Sequence, residues 1–305
     1  MNTLKIFLNP LTDFGFKKIF GTPENKHLLI GFLNAFIPEH AARITDVQYL
    51  STEHFGGNPL EKKVVFDLYC TDQDGGHFII EMQRGKQNFF AERVFTYLCR
   101  IVSETAEKGD RRYSVPRIIS FNIIDFNAPE FSGRDNFFWR VQLKDDDNEI
   151  FMQKIAFYFV ELSKFAARKK QGDFGSERER WLYLLKHIAE MTEEEAYAVA
   201  NSEILRKFVS ECRIEKLNTM EKKDYEKSIL EYEDVREAIE CERRDSLAEG
   251  EMAGMAKGIE KGQTKRNMEI VTNMLSKGFD IETIADITNL SMTEIYAIKQ
   301  QTASL

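Results

Sequence analysis

Two acidic residues interrupt stretches of the sequence that are otherwise apolar. Asp67 lies within Val-Val-Phe-Asp-Leu-Tyr-Cys, and Glu81 lies within Phe-Ile-Ile-Glu-Met-Gln. Between them, residues 72–76 read Asp-Gln-Asp-Gly-Gly, which is a strong turn signal. Because positions 67 and 81 are equidistant from position 74, a hairpin makes them cross-strand neighbours on one face, with Cβ atoms about 4.5–5.5 Å apart. The sequence therefore predicts a pair of facing carboxylates.

Such a pair is costly unless something compensates its charge. Like charges repel at this distance, and apolar neighbours solvate them poorly. A divalent cation is the natural compensation, and hard oxygen ligands suit Mg²⁺ or Mn²⁺. Gln83, two residues beyond Glu81, points to the same face of the strand. The alternative is an ordinary solvated strand face, although Asp and Glu are depleted in strands. We favour the metal site.

The elements around this hairpin predict a mixed sheet packed by helices. Two helical segments span residues 12–37, with Thr12 or Asp13 as the first N-cap, and a long amphipathic helix spans 88–108. The predicted strands are 46–55, 63–71, 77–83, 115–126, 137–143 and 150–159. The resulting order, α-α-β-β-β-α-β-β-β, is typical of a layered α/β domain.

Beyond residue 160 the sequence becomes helical and charged. We therefore divide the chain into a sheet domain (1–160), a charged helical region (161–249) and a tail (250–305). Glycines recur every four residues from Gly250 to Gly262, and a flexible linker and a helix contact face explain them equally well. Residues 281–299 resemble a helix-turn-helix. Their last helix offers only Lys299 as a cation, so we expect packing or oligomerisation rather than DNA reading.

Composition narrows the class of protein. The chain has 305 residues and a net charge of −8, and one basic segment, 84–117, holds eight basic against four acidic residues. Charge alone favours ordinary surface variation for that segment. The four cysteines form no CxxC pair, and no nucleotide-binding, zinc-protease or serine-hydrolase motif occurs. With neither a secretory signal nor an apolar run long enough to span a membrane, the sequence predicts a cytoplasmic protein.

Several motifs together resemble a known family. Strand–Asp–hairpin–Glu-x-Gln followed by a helix resembles the PD-(D/E)XK nuclease core in its Glu-x-Gln variant. With residues 12–21 (TDFGFKKIFG), residues 89–102 (FFAERVFTYLCRIV) and the tail, the chain resembles the Rpn family of recombination-promoting nucleases and transposase-like proteins. The resemblance covers 1–160 well and 250–300 in style. It implies a restriction-endonuclease-like mixed sheet flanked by helices, then an all-helical C-terminal region. Gln83 departs from the lysine that is usual in the wider superfamily.

The resemblance also implies an activity and assigns roles to residues. The implied activity is Mg²⁺- or Mn²⁺-dependent hydrolysis of DNA phosphodiester bonds in recombination or transposition. Asp67 and Glu81 would hold the metal, Gln83 would orient the attacking water, and Asp13 would assist the metal unless it is only a helix cap. The residues expected to contact DNA are Lys17, Lys18, Arg84, Arg93 and Tyr97.

Two other functions stay open at this stage. One is a catalytically silent DNA- or protein-binding module that keeps the nuclease fold, which the acidic net charge favours. The other is a scaffold that self-associates through its charged helices and glycines. DNA and a homo-oligomer are therefore the expected partners.

Overall fold

The computed structural model describes residues 5–37, 43–54, 64–85, 89–105, 114–168 and 174–303. The chain forms two compact units, Met1–Arg236 and Glu237–Leu305. Among the described residues, no helix is both long enough and apolar enough to cross a membrane.

The first unit is built on a six-stranded mixed sheet. Its strand order is β1-β4-β5-β6-β8-β7, where β5 pairs antiparallel with β4 and parallel with β6. The strands are β1 (Val47–Tyr49), β4 (Leu68–Asp72), β5 (His77–Gln83), β6 (Ile118–Ile124), β7 (Phe138–Val141) and β8 (Ile155–Glu161). Strands β2 (Glu53–His54) and β3 (Val64–Val65) form a separate two-stranded ribbon. The mixed α/β sheet expected from the sequence is confirmed.

Helices cover both faces of this sheet. Those of the first unit are α1 (Asp13–Phe20), α2 (Lys26–Phe36), α3 (Phe90–Thr105), α4 (Leu162–Arg168), α5 (Glu177–His187), α6 (Glu193–Val199) and α7 (Glu203–Glu211). The next helix, α8 (Thr219–Ser276), starts in the first unit and ends in the second. Thr12 caps α1, because its hydroxyl accepts the Gly15 N–H at 2.9 Å.

One face of the sheet packs against helices from both ends of the first unit. Phe20 and Phe32, from α1 and α2, contact Trp181 of α5, and Phe208 of α7 contacts Trp181. All four are buried in the same core as Phe121 of β6. The helices beyond residue 160 therefore complete the core of the sheet. For this reason the structure divides the chain after Arg236 rather than at the predicted boundaries of 160 and 249.

The other face of the sheet packs against α3. Ile79 of β5 is buried there with Val94 and Leu98 of α3. Because side chains alternate along a strand, Glu81 and Gln83 share this face with Ile79. Helix α3 is the crossover between the parallel strands β5 and β6, so it runs beside the two polar residues at the end of β5.

Two predicted strands differ from the observed ones. The strand 63–71 is broken at Phe66 and Asp67, because Val64 and Val65 pair with the β2 ribbon while β4 pairs with β1 and β5. The strand 150–159 begins only at Ile155. The preceding residues form a turn, in which Asn148 has a positive φ of 66°. Residues 55–63 lie outside the described residues, and they include the end of the predicted strand 46–55 and the start of the predicted strand 63–71.

The second unit is helical throughout its described length. Helix α8 continues through all four glycines, so the flexible-linker alternative is wrong. Helices α9 (Ile281–Thr288) and α10 (Met292–Ala303) follow, and Asn289 ends α9 with a left-handed φ of 55°. A small core forms where α8, α9 and α10 meet, and it consists of Val271, Ile284 and Ile295. The end of α8, α9 and α10 therefore form a small three-helix module.

The turn between β4 and β5 is held by one buried carboxylate. The Asp72 side chain is 0 % exposed and accepts the N–H groups of Asp74 at 3.0 Å and Gly76 at 2.7 Å. It also binds the guanidinium of Arg117, which enters from the start of β6. Asp72 therefore fixes the hairpin register at the end opposite to Glu81.

We expect Asp72→Ala to lower the free energy of unfolding by at least about 3 kcal/mol, because it leaves a half-buried guanidinium and two backbone N–H groups without their acceptor. Chemical denaturation measures the loss. Asp74→Ala, at an exposed position of the same turn, is the control and should change stability by about 0.5 kcal/mol or less. Equal effects of the two substitutions would contradict this role of Asp72.

Candidate active site

Asp67 and Glu81 face each other across the hairpin. The register pairs Leu68 with Ile80, so the next residues outward are Asp67 and Glu81. Each carboxylate accepts a backbone N–H from the opposite segment. The Asp67 N–H donates to Glu81 Oε1 at 3.3 Å, and the Met82 N–H donates to Asp67 Oδ2 at 2.7 Å. The facing pair follows the predicted geometry, except that Asp67 lies at a bend just before β4 and not within a strand.

The pair is poorly solvated, and this changes its protonation. Burial, and after it the charge of Asp67, raises the pKa of Glu81 to about 8. Burial also raises the pKa of Asp67, against the lowering effect of the Met82 N–H. Near neutral pH, without a cation, the two carboxyl groups therefore hold more protons than two exposed ones would.

The donor set fits a hard divalent cation. Among the described residues, none donates a hydrogen bond to Asp67 Oδ1 or Glu81 Oε2, so each carboxylate keeps one oxygen available. The described residues contain no group of three or more His, Cys, Asp or Glu side chains placed to hold a metal. Mg²⁺ is commonly bound by one or two carboxylates, with water and substrate phosphate completing its shell. Two carboxylates with open oxygens match that mode.

Gln83 and Arg93 form the polar neighbourhood of the pair. Arg93, on α3, donates from Nη2 to Gln83 Oε1 at 2.7 Å, and Gln83 Nε2 donates to the Gly85 carbonyl at 3.2 Å. Tyr97 lies one turn further along α3, and its ring centroid is 5.7 Å from the Arg93 guanidinium carbon. The structure thus brings Gln83, Arg93 and Tyr97 to the same face as Glu81.

Asp13 and Lys17 lie at the edge of this site on α1. Lys17 Nζ is 2.7 Å from Asp13 Oδ1, and both side chains are about half exposed. The Lys17 charge lowers the pKa of Asp67 and of Glu81, so it acts on the pair. Asp13 was expected to assist the metal or to cap α1. The cap is Thr12, so the cap role of Asp13 is wrong. The charge of Asp13 raises the pKa of Asp67, and the assistance of Asp13 to a metal stays a prediction.

Two other predicted DNA contacts are directed toward α8. Lys18 Nζ lies 2.6 Å from Glu221 Oε1. The Arg84 guanidinium lies 4.3 Å from the ring centroid of Tyr232, and burial lowers its pKa. Lys18 and Arg84 therefore contact α8, and neither contacts the carboxylate pair.

Sequence reasoning missed the group that fixes the end of β5. The Asp125 N–H donates to the Gln83 carbonyl at 2.9 Å, and Lys186 Nζ binds both Asp125 carboxylate oxygens at 2.7 and 2.6 Å. Asp125 comes directly after the apolar strand β6, and an acidic residue beside an apolar stretch is the same sequence pattern that indicated Asp67. Nothing in the sequence spacing points to Lys186, which is 61 positions away.

The family model described as PD-(D/E)XK nuclease family transposase matches residues 10–242. The chain belongs to this family. No curated protein and no solved structure matches it.

The match to the PD-(D/E)XK nuclease family transposases agrees with the structure in two respects. It confirms the suspected nuclease and transposase relationship and the fold. It also continues beyond residue 160 into α5, α6 and α7, which are the helices that complete the core. The match covers Asp67, Glu81 and Gln83, and their roles in the family motif stay a prediction.

The raised pKa of Glu81 makes stability depend on pH. Its carboxyl holds a proton in the folded state between pH 4.5 and about 8, where the unfolded chain has lost it, so stability decreases as pH rises through this range. We expect Glu81→Gln to remove this loss and to raise the free energy of unfolding at pH 8 in EDTA by about 4 kcal/mol.

Urea denaturation at pH 5 and pH 8 measures this effect. The matched control is Glu92→Gln on the exposed side of α3, which should leave the pH dependence of stability unchanged. A wild-type pH dependence in Glu81→Gln would show that Glu81 does not cause it.

Proposed function

We propose that this chain is a divalent-metal-dependent DNA endonuclease that hydrolyses phosphodiester bonds in recombination or transposition. Membership of the nuclease family supports the reaction class. The single observation that carries the proposal is the buried pair of Asp67 and Glu81, each with one oxygen open. Such a pair is expensive for a protein that makes no use of a cation.

The residues of the chain would divide the work as follows. Asp67 and Glu81 would hold the cation, and the N–H groups of Met82 and Asp67 fix the direction of their carboxylates. When bound, Mg²⁺ or Mn²⁺ supplies Lewis acidity that lowers the pKa of the attacking water and neutralises phosphodiester charge. Tyr97 packs on the buried ring of Phe66, with centroids 5.4 Å apart, and limits the access of bulk water on the α3 side.

DNA is the proposed substrate, and its phosphates would meet cations only locally. The net charge of −8 opposes general attraction to DNA. Lys17 and Arg93, whose charges act on the carboxylate pair, are the described cations best placed to contact a phosphate there. The absence of an apolar spanning helix among the described residues and four unpaired cysteines support a cytoplasmic location.

A catalytically silent binding module is the second candidate. The observation that favours it is Gln83, since an amide can neither carry charge nor accept a proton with any strength. A module without metal-dependent activity would gain nothing from two repelling buried carboxylates, so we place this candidate second. Cleavage of supercoiled plasmid by the purified protein in Mg²⁺, Mn²⁺ or EDTA separates the two candidates.

We expect Asp67→Asn and Glu81→Gln to reduce plasmid nicking in Mg²⁺ by more than about 100-fold, because each removes a charged oxygen ligand while keeping the side-chain shape. Both variants should remain folded, since they relieve repulsion. Nicked and linear products on a gel, together with thermal melting, measure activity and folding. Glu92→Gln is the control. Wild-type rates in either site variant would refute the metal-ligand assignment.

The second unit is proposed to pair two copies of the chain. The helix surface around the glycines exposes four apolar side chains by more than half: Leu247 65 %, Met252 66 %, Met255 71 % and Ile259 54 %. Within the described chain, a Cβ built on any of the four glycines meets nothing within 4 Å. A single copy therefore gives no packing reason for four costly helical glycines, whereas a second helix at close approach does.

Charge along α8 indicates the direction of that pairing. Residues 237–251 carry six acidic and two basic side chains, and residues 252–266 carry one acidic and four basic. An antiparallel pair centred near residue 252 places the acidic half of each helix against the basic half of the other. A parallel pair would place like charges together.

Charge-swapped variants of the full chain test this arrangement. Glu249→Lys with Glu251→Lys should abolish self-association, and so should Lys257→Glu with Lys261→Glu, because each puts like charges face to face. Combining all four substitutions reverses both halves and should restore association. Sedimentation velocity at low salt measures the oligomer. Association that is unchanged by either double variant, or absent from the wild type, would contradict the antiparallel pair.

A further inference from the structure

Residue 83 is a glutamine, whereas the resemblance to the nuclease superfamily implies a lysine at this position. In that position a cation lies beside the carboxylate pair, and an amide cannot replace its charge. We infer that Arg93 supplies this cation to the scissile phosphate and that Gln83 is the positioning residue that holds Arg93. The inference rests on the proposed nuclease function and concerns the same site.

The hydrogen bonds of Gln83 leave its amide one orientation. Arginine has donors only, so Arg93 Nη2, at 2.7 Å, requires the oxygen of the amide. The Gly85 carbonyl accepts only, so at 3.2 Å it requires the amide nitrogen. Gln83 Oε1 is thus directed to the guanidinium. The expectation that Gln83 orients the attacking water stays a prediction, because the amide oxygen can accept a second hydrogen bond.

Packing on α3 restricts the Arg93 side chain further. Its guanidinium carbon lies 6.0 Å from the ring centroid of Phe90 and 5.7 Å from that of Tyr97. These residues occupy positions i−3 and i+4 on the same helix face, so the cation lies between two rings, each about one helical turn from Arg93. A guanidinium held by two rings and one amide loses little further entropy when it binds a phosphate.

Arg93 is close enough to act on the reacting groups. Its charge lowers the pKa of both Asp67 and Glu81, although burial dominates in each case. Lys17 acts on the same pair, but it is 46 % exposed and bound to Asp13. A guanidinium donates paired hydrogen bonds to phosphate oxygens and remains charged at all working pH values. Arg93 therefore stabilises the charge that develops on the phosphate and transfers no proton.

The first test compares single-turnover cleavage by full-length variants. Arg93→Ala should slow cleavage by about 100- to 1,000-fold, and Arg93→Lys should lose less. Gln83→Lys combined with Arg93→Ala should recover at least about tenfold over Arg93→Ala, because the lysine restores a cation at the motif position. A residue that only supports the fold would not be rescued in this way. Wild-type rates in Arg93→Ala, or no rescue by Gln83→Lys, would overturn the inference.

The second test needs no cleavage. Binding of duplex DNA in EDTA is measured by fluorescence anisotropy at several salt concentrations. Arg93→Ala should lower the slope of log affinity against log salt by about one, as expected for the loss of one phosphate contact, and Arg93→Lys should keep the slope. Lys207→Ala, an exposed lysine paired with Glu203, is the control and should leave it unchanged. An unchanged slope in Arg93→Ala overturns the inference.

The two tests distinguish failure of the inference from failure of the proposed function. If the wild type does not cleave in Mg²⁺ or Mn²⁺ but Arg93→Ala lowers the salt slope, the nuclease proposal fails and the phosphate contact of Arg93 stands. If the wild type cleaves and Arg93→Ala cleaves equally well, the nuclease proposal stands and the role of Arg93 is wrong.

Discussion

The carboxylates of Asp67 and Glu81 repel each other inside a poorly solvated hairpin, and the fold must keep them together. Each accepts one backbone N–H from the opposite segment, so separating the carboxylates would also break hydrogen bonds between the two segments. At the turn end, Asp72 joins the hairpin to Arg117 of the neighbouring segment. At the open end, the Asp125 N–H holds the Gln83 carbonyl. The pair lies between two fixed ends, which limits how far repulsion can move it.

The mixed sheet explains why carboxylates and cations reach the same place. Strand β5 is antiparallel to β4, so a short hairpin presents Asp67 beside Glu81. It is parallel to β6, and a parallel connection needs a crossover that returns over one face of the sheet. That crossover is α3, which carries Arg93 and Tyr97 along the face of Glu81. Because β5 has an antiparallel neighbour on one side and a parallel neighbour on the other, residues less than 35 positions apart meet in one site.

The sequence predicts the local parts of this structure well and the long-range parts poorly. Turn spacing alone places Asp67 opposite Glu81, because a hairpin register depends only on its loop. Turn spacing does not predict the break of the strand at Asp67, which occurs because Val64 and Val65 pair with β2 while β4 pairs with β5. The sequence predicts Arg93 as a DNA contact and not as the partner of Gln83. Lys186 and the α8 contacts of Lys18 and Arg84 depend on packing between distant segments. The sequence also does not predict that α8 continues through the four glycines, because glycine has a low helix propensity.

Burial of the pair also links its protonation to the binding of a cation. In the metal-free protein, the raised pKa of Glu81 means that a proton takes the place of the cation and removes most of the repulsion. Binding of a cation here would release that proton, so metal affinity and deprotonation would be linked. Below about pH 8, the two negative charges would then face each other only with a cation between them. Burial makes the pair costly in the metal-free protein, whether it holds a proton or both charges, and a bound cation would offset that cost.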